Sequence, residues 1–314
     1  MKKLLLLTLL ALGYQTASAT SLLETFGTGT PNAFTMEFVT IGNPNNVADT
    51  TGSPNPAGSV AYTYNLGKYE VSRDMITKAN SAGSLGITFQ DMSSYGGNGL
   101  LKPATGISYY EAAKYVNWLN TSSGGTAAYK FDVSGNFQLW SAGDAGYNAN
   151  NMFRNSLAKY WRPSTDEWYK GAYGKADGSW SNFPNGSNSA PMAVASGTTA
   201  NTAVYDQSFT TGPADITNAG GLSAYGTMGQ GGNVWEWMET AYDGSNNTAG
   251  EIRDLRGGSW SDPSYMLDAS RHINNDPTSG ILHIGFRVAS VPEPSALSLL
   301  AVGLGGLALV RRRK

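Results

Sequence analysis

The chain has 314 residues and no cysteine, with 21 Lys and Arg against 23 Asp and Glu and only 14% charged residues. That length carries one large domain or two small ones, and 40% hydrophobic residues with eight Trp supply a core. The missing cysteines exclude disulfides, thiol nucleophiles and thiolate metal sites, and 39 glycines favour a loop-rich fold over a helical bundle.

Met1 to Ala19 reads as a secretory signal peptide: Lys2 and Lys3, a mostly apolar run from Leu4 to Leu12, then Ala17-Ser18-Ala19. Small residues at −3 and −1 suit signal peptidase, so cleavage is expected after Ala19. Thr20 to about Ala33 is small and polar and reads as a loose lead-in. Phe38 to Gly42 reads as a strand, Asn43 to Gly58 as a loop, and Val60 to Leu66 alternates as a strand does. Two helices have clear starts. Ser108 with Glu111 and Ser164 with Glu167 are S-x-x-E capping boxes. After the first, Tyr109, Ala112, Ala113, Val116 and Leu119 or Asn120 recur at helical spacing; after the second, Trp168, Gly171 and Ala172 share a face that ends near Gly174. Gly178 to Gly232 reads as long ordered loops, because Trp180, Phe183, Tyr205, Phe209 and Tyr225 punctuate it.

At the C-terminus, Ala296 to Val310 would make a helix of about 22 Å, short for a bilayer core of about 30 Å. Pro292-Glu293-Pro294, this apolar stretch and the basic Arg311 to Lys314 follow one another. The order resembles the PEP-CTERM sorting signal of Gram-negative bacteria. That resemblance implies recognition by an exosortase, removal of the tail, and delivery to the outer surface or exopolysaccharide matrix. Three parts result: a signal peptide at 1–19, a domain at 20–290 and a sorting segment at 291–314. Six of the basic groups and one acid lie in the two ends, so the stretch between is near −7. An acidic surface disfavours nucleic acid and anionic lipid and tolerates cations and neutral sugars.

Lys68–Ile76 (KYEVSRDMI), Pro103–Asn120, Arg162–Gly174 and a C-terminal trio, GNVWEW (Gly232–Trp237), RGGSW (Arg256–Trp260) and GFRVA (Gly285–Ala289), occur in a fixed order. Together they resemble the formylglycine-generating enzyme, or sulfatase-modifying factor, family. The resemblance implies an α+β, loop-rich variant of the C-type lectin fold. The tryptophans and glycines of the trio read first as scaffold. Arg162 stands one position off the family's usual Arg-Leu-Pro.

In that family two cysteines just after the RGGSW turn bind copper and activate oxygen. Here Asp262 falls at the first position and Met266 or Leu267 at the second. A carboxylate and a thioether do not rebuild a bis-thiolate copper site, so no copper and no formylglycine-generating activity are expected. A three-histidine iron site is excluded, because only His272 and His283 exist. A Ser–His–Asp set is arithmetically open but has no nucleophile motif. The resemblance also implies calcium. One set would use the Gly232 and Val234 carbonyls with Glu236, weakened because Gly229 brings no side chain; the other would use Asn201 and Asp215. A salt bridge to an arginine is the plainer role for Glu236. The leading expectation is a binding protein for exopolysaccharide or a surface protein, with Tyr205, Tyr225, Tyr242 or Tyr265 as stacking platforms. The alternative is a hydrolase or lyase around Asp262, with Ser259, Ser261, Tyr265 and Arg271. It requires Asp262 to face a cleft, whereas an Asp262 that caps its own turn removes it.

Overall fold

The computed structural model describes residues 21–292. The expected signal peptide, the apolar C-terminal stretch and the basic tail lie outside them. Among the described residues no helix is long and apolar enough to cross a membrane.

Strand β1 (Ser21–Phe26) alternates exposed and inward residues and pairs antiparallel with β2 (Phe34–Ile41). The expected loose lead-in is therefore an edge strand. Its Phe26 packs against Phe34 and Tyr160 in the core. Strand β3 covers only Tyr64–Gly67, shorter than the alternation from Val60 implied. Helix α1 (Arg73–Gly83), not foreseen, starts at Ser72, whose side chain accepts from the Met75 N–H. Only Arg73, Ile76 and Ala79 of it are buried, while Thr77 and Ser81 bond back to carbonyls four residues earlier. That leaves a narrow apolar stripe and a weak periodic signal.

Helices α2 (Tyr109–Thr121) and α3 (Thr165–Tyr173) begin at the two foreseen capping boxes, each with both reciprocal hydrogen bonds formed. Short strands follow the chain: β4 (Lys130–Phe131), β5 (Phe137–Gln138), β6 (Tyr160–Trp161), β7 (Met192–Ala193), β8 (Thr202–Ala203), β9 (Trp235–Ala241), β10 (Arg253–Arg256), β11 (Ile273–Asn275), β12 (Ile284–Gly285) and β13 (Ala289–Ser290). One sheet runs β1-β2-β3-β13-β6 and a second β11-β10-β9-β12, with two small pairs, β4-β5 and β7-β8. Because β13, the last strand among the described residues, lies between β3 and β6, it joins the two sides of the first sheet.

The main core lies where α2 meets both sheets, and Trp235, Trp237, Phe286 and Val288 enter it from the C-terminal motifs. The even spacing of the two indoles in β9 puts them on this face and Glu236 on the other, toward α3. Arg162 is fully buried, with its guanidinium 3.3 Å from the Tyr109 ring centre and donating to the Tyr109 carbonyl at 2.9 Å. At this position the arginine is a structural cation rather than a surface group.

Candidate functional site

The RGGSW turn is built by backbone conformation. Gly257 and Gly258 have φ of +103° and +78°, where a side chain is strained, and a Cβ on Gly258 would meet Leu267 at 3.0 Å. The Gly257 carbonyl accepts from the Gly232 N–H at 2.8 Å, and the Trp260 N–H donates to the Asn233 carbonyl at 2.9 Å. These two bonds splice the RGGSW and GNVWEW segments into one unit. The Trp260 indole donates to the Phe209 carbonyl at 3.0 Å and stacks on the Phe209 ring, which fixes the long loop above the turn.

Asp262 faces into this turn. Its Oδ2 accepts from the Ser259 N–H at 2.8 Å, the Ser259 hydroxyl at 2.6 Å and the Trp235 indole N–H at 2.8 Å. All three donors belong to the scaffold, so the carboxylate caps its own turn and ties it to β9. This is a correction to the reading of Asp262 as the centre of a reactive pocket. Of the other residues in that set, Ser261 reaches the Ser259 hydroxyl at a long 3.5 Å, while Tyr265 and Arg271 are exposed and meet outside the turn, 5.5 Å from guanidinium to ring centre. Leu267, one of the two residues that fall at the second cysteine position, is fully buried against Ala203 and Tyr205. Met266 is only partly buried beside it.

Glu236 is fully buried and its carboxylate is taken up by neighbours. Arg287 of GFRVA donates to it from Nε at 3.0 and 2.7 Å and from Nη2 at 2.6 Å, and the Trp168 indole donates at 2.8 Å. A guanidinium occupying that carboxylate does not fit a calcium ligand set. With Gly229 bare, the set is left with the Gly232 and Val234 carbonyls. Beside Gly229 lies a carboxylate that the sequence did not single out. Glu70 of KYEVS is buried, its Oε2 accepts from the Asn233 amide at 2.5 Å, and its Oε1 has no partner among the described residues. Burial pushes the Glu70 carboxyl well above the usual range and the neighbouring Glu236 charge adds to this, against the pull of Arg287. Nothing local in the sequence separates such a glutamate from a solvated one.

The second expected calcium pair is Asn201 and Asp215. Asn201 is exposed with φ +60°, and its carbonyl accepts from the Met192 N–H at 2.8 Å. The Asp215 carboxylate lies 3.7 Å from the Lys102 ammonium. Among the described residues no group of three or more His, Asp or Glu could hold a metal ion.

His272 lies just before β11. Its Nδ1 is 2.6 Å from the buried Asp254, which also accepts from the Thr165 hydroxyl at 2.6 Å, and its ring lies 4.9 Å from that of Tyr242. His283 is in the turn before β12 rather than in a strand. Burial lowers its pKa, and the Asp262 charge opposes the shift. Neither imidazole is hydrogen-bonded to a serine among the described residues. Of the four candidate platforms, Tyr205 and Tyr225 are buried, while Tyr242 and Tyr265 are about half exposed at 43% and 51%.

Comparison with solved structures places the fold. The chain is similar to Treponema denticola variable protein 1, with a TM-score of 0.62 and 19% identity over 88% of this chain and 100% of that one. It is similar to CarF, with a TM-score of 0.55 and 16% identity over 82% and 98%, and to PvdO from Pseudomonas aeruginosa, with a TM-score of 0.50 and 16% identity over 82% and 94%. At these identities the likeness shows a shared α+β, loop-rich fold. No curated protein matches the chain. The PEP-CTERM protein-sorting motif matches residues 290–314, and the sulfatase-modifying factor enzyme 1-like domain matches residues 32–291, so the chain belongs to the sulfatase-modifying factor family and carries an export-sorting segment after its domain.

Proposed function

We propose that this is an exported binding protein of the cell surface or exopolysaccharide matrix, working on a sulfatase-modifying-factor scaffold without its oxidase chemistry. One observation carries the reading. The two positions that bear the copper-binding cysteines in the family hold a carboxylate spent on its own turn and either the partly buried Met266 or the buried Leu267, neither of them a thiol. The sorting motif supports export with exosortase processing. The ligand surface in this reading is the outer face around β11. There Tyr242 backed by His272 and Tyr265 beside Arg271 offer two exposed rings that other side chains hold in place. Exposed rings flanked by polar groups suit neutral sugars, which the acidic surface does not repel.

A glycan array that includes the host's own exopolysaccharide, run with and without EDTA, tests this. Binding is expected, insensitive to EDTA and weakened at least tenfold by Tyr242→Ala with Tyr265→Ala. No binding to any glycan, or conversion of a cysteine peptide to formylglycine with oxygen uptake, overturns the proposal. The alternative of an altered enzyme around Asp262 loses support, because the donors to that carboxylate are scaffold groups.

A further inference from the structure

A groove of about 340 Å³ opens where the domain ends. Tyr62, Asn148, Arg154 and Trp161 line it together with Val291 and Pro292. Its aromatic walls are fixed. Tyr62 is 44% exposed but its hydroxyl donates to Glu167 at 2.6 Å, and the Arg154 guanidinium lies 4.6 Å over the Trp161 ring. Arg154 is also held by Glu239 at 3.4 Å and Glu167 at 3.5 Å. The chain is led into this groove by its own hydrogen bonds. The Val291 N–H donates to the Lys159 carbonyl at 3.0 Å, and the Asn65 amide donates to the Val291 carbonyl at 3.3 Å. Pro292, the first residue of Pro-Glu-Pro, is therefore already part of the wall.

We propose that this groove is an intramolecular seat for the chain's own Pro292–Pro294 segment. The two prolines fix φ, and each residue before a proline is pushed toward extended backbone. Three residues in polyproline geometry make a short rod, about 9 Å long at about 3.1 Å per residue. Aromatic-lined grooves take such rods with little loss of entropy, because the rod is ordered before it binds. Three residues per turn send three side chains to three sides. In the proposed seat two of these sides, those of the prolines, would meet the rings of Tyr62 and Trp161, and the third, that of Glu293, would face outward. This seat concerns sorting and does not depend on the binding function proposed above. Its consequence is a delay: an exosortase that must grip the motif has to draw it off the folded domain first.

The test uses the full-length chain in detergent. Pro294→Ala is expected to lower Tm by about 2 °C with native Tyr62, to do the same with Tyr62→Phe, and to have no effect with Tyr62→Ala. A photoreactive phenylalanine at position 62 is expected to cross-link to residues 293–295 of the same chain. In cells, Tyr62→Ala is expected to shorten the half-time of tail removal. An unchanged Tm for Pro294→Ala in the native background, together with cross-links from position 62 only to other molecules or to added oligosaccharide, overturns the seat. Should Tyr62→Ala fail to fold, the cross-link and the Tyr62→Phe pair decide alone.

Discussion

At Asp262 a single carboxylate oxygen accepts from three donors, two of them on Ser259 and one on Trp235. A carboxylate that accepts charge-assisted bonds from its own turn is a cap, and the cost of losing it is set by the donors left behind. Asp262→Ala strands a backbone N–H and an indole N–H in a half-buried site. The expected loss is about 3 kcal/mol, read by urea denaturation, with glycan binding per folded molecule unchanged. Loss of binding at full stability would instead restore Asp262 to the site. The Glu236–Arg287 pair follows a similar logic deeper in the core. There two neighbouring motifs, GNVWEW and GFRVA, are joined by a bidentate contact between fully buried charges. Such a pair fixes which groups face each other more than it adds stability, because both charges had to leave water.

Helices α2 and α3 illustrate what local signals can specify. Ser108–Glu111 and Ser164–Glu167 form complete capping boxes, and each box needs only four consecutive residues. In α3 the box does more than cap, because Glu167 also accepts from the Trp161 indole and the Tyr62 hydroxyl. Ser164→Ala is therefore expected to cost about 1 kcal/mol, with the loss of helix protection in hydrogen exchange confined to α3. Exchange that rises across the β9 sheet instead would assign Ser164 a wider role. The elements that stayed hidden depend on distant partners. The apolar residues of β1 become legible only beside β2, and α1 buries too narrow a stripe to stand out from its polar residues. The site divides in the same way. The positive-φ glycines and the alternating indoles show in the sequence, since both are rules of neighbouring residues. The bond from Trp235 to Asp262 spans 27 positions, that from Arg287 to Glu236 spans 51, and Glu70 meets Asn233 across 163. Only the folded chain brings them together.

Over the whole molecule, buried ionisable groups set how stability follows pH. Glu70 favours its protonated form in the fold, so its contribution is present below the unfolded value of 4.5 and is lost as pH rises. Lys170 has the opposite sense. It is 1% exposed in α3, its ammonium donates to the Asn43 carbonyl at 2.8 Å, and burial lowers its pKa from 10.5 to about 8. Between those two values the unfolded chain holds a proton that the folded chain has released, so stability rises with pH across that window. The limiting slope is about 1.4 kcal/mol per pH unit. Above pH 10 the sense turns again. Burial raises Tyr64, Tyr115 and Tyr129 above their ordinary value of 10.0, so the unfolded chain loses those protons first and stability falls. Relative to a chain without the Lys170 ammonium, the native protein is thus expected to gain stability from about pH 8 up to between 9 and 10. Lys170→Met keeps the apolar stem in the same space and has nothing to titrate, so its curve is expected to lack the rise that Lys170 contributes and to decline beyond pH 10 as the native curve does. Urea titrations of both proteins at half-unit steps from pH 7 to 10.5 decide the point. Parallel curves for the two would show that Lys170 keeps its ordinary proton affinity inside the fold.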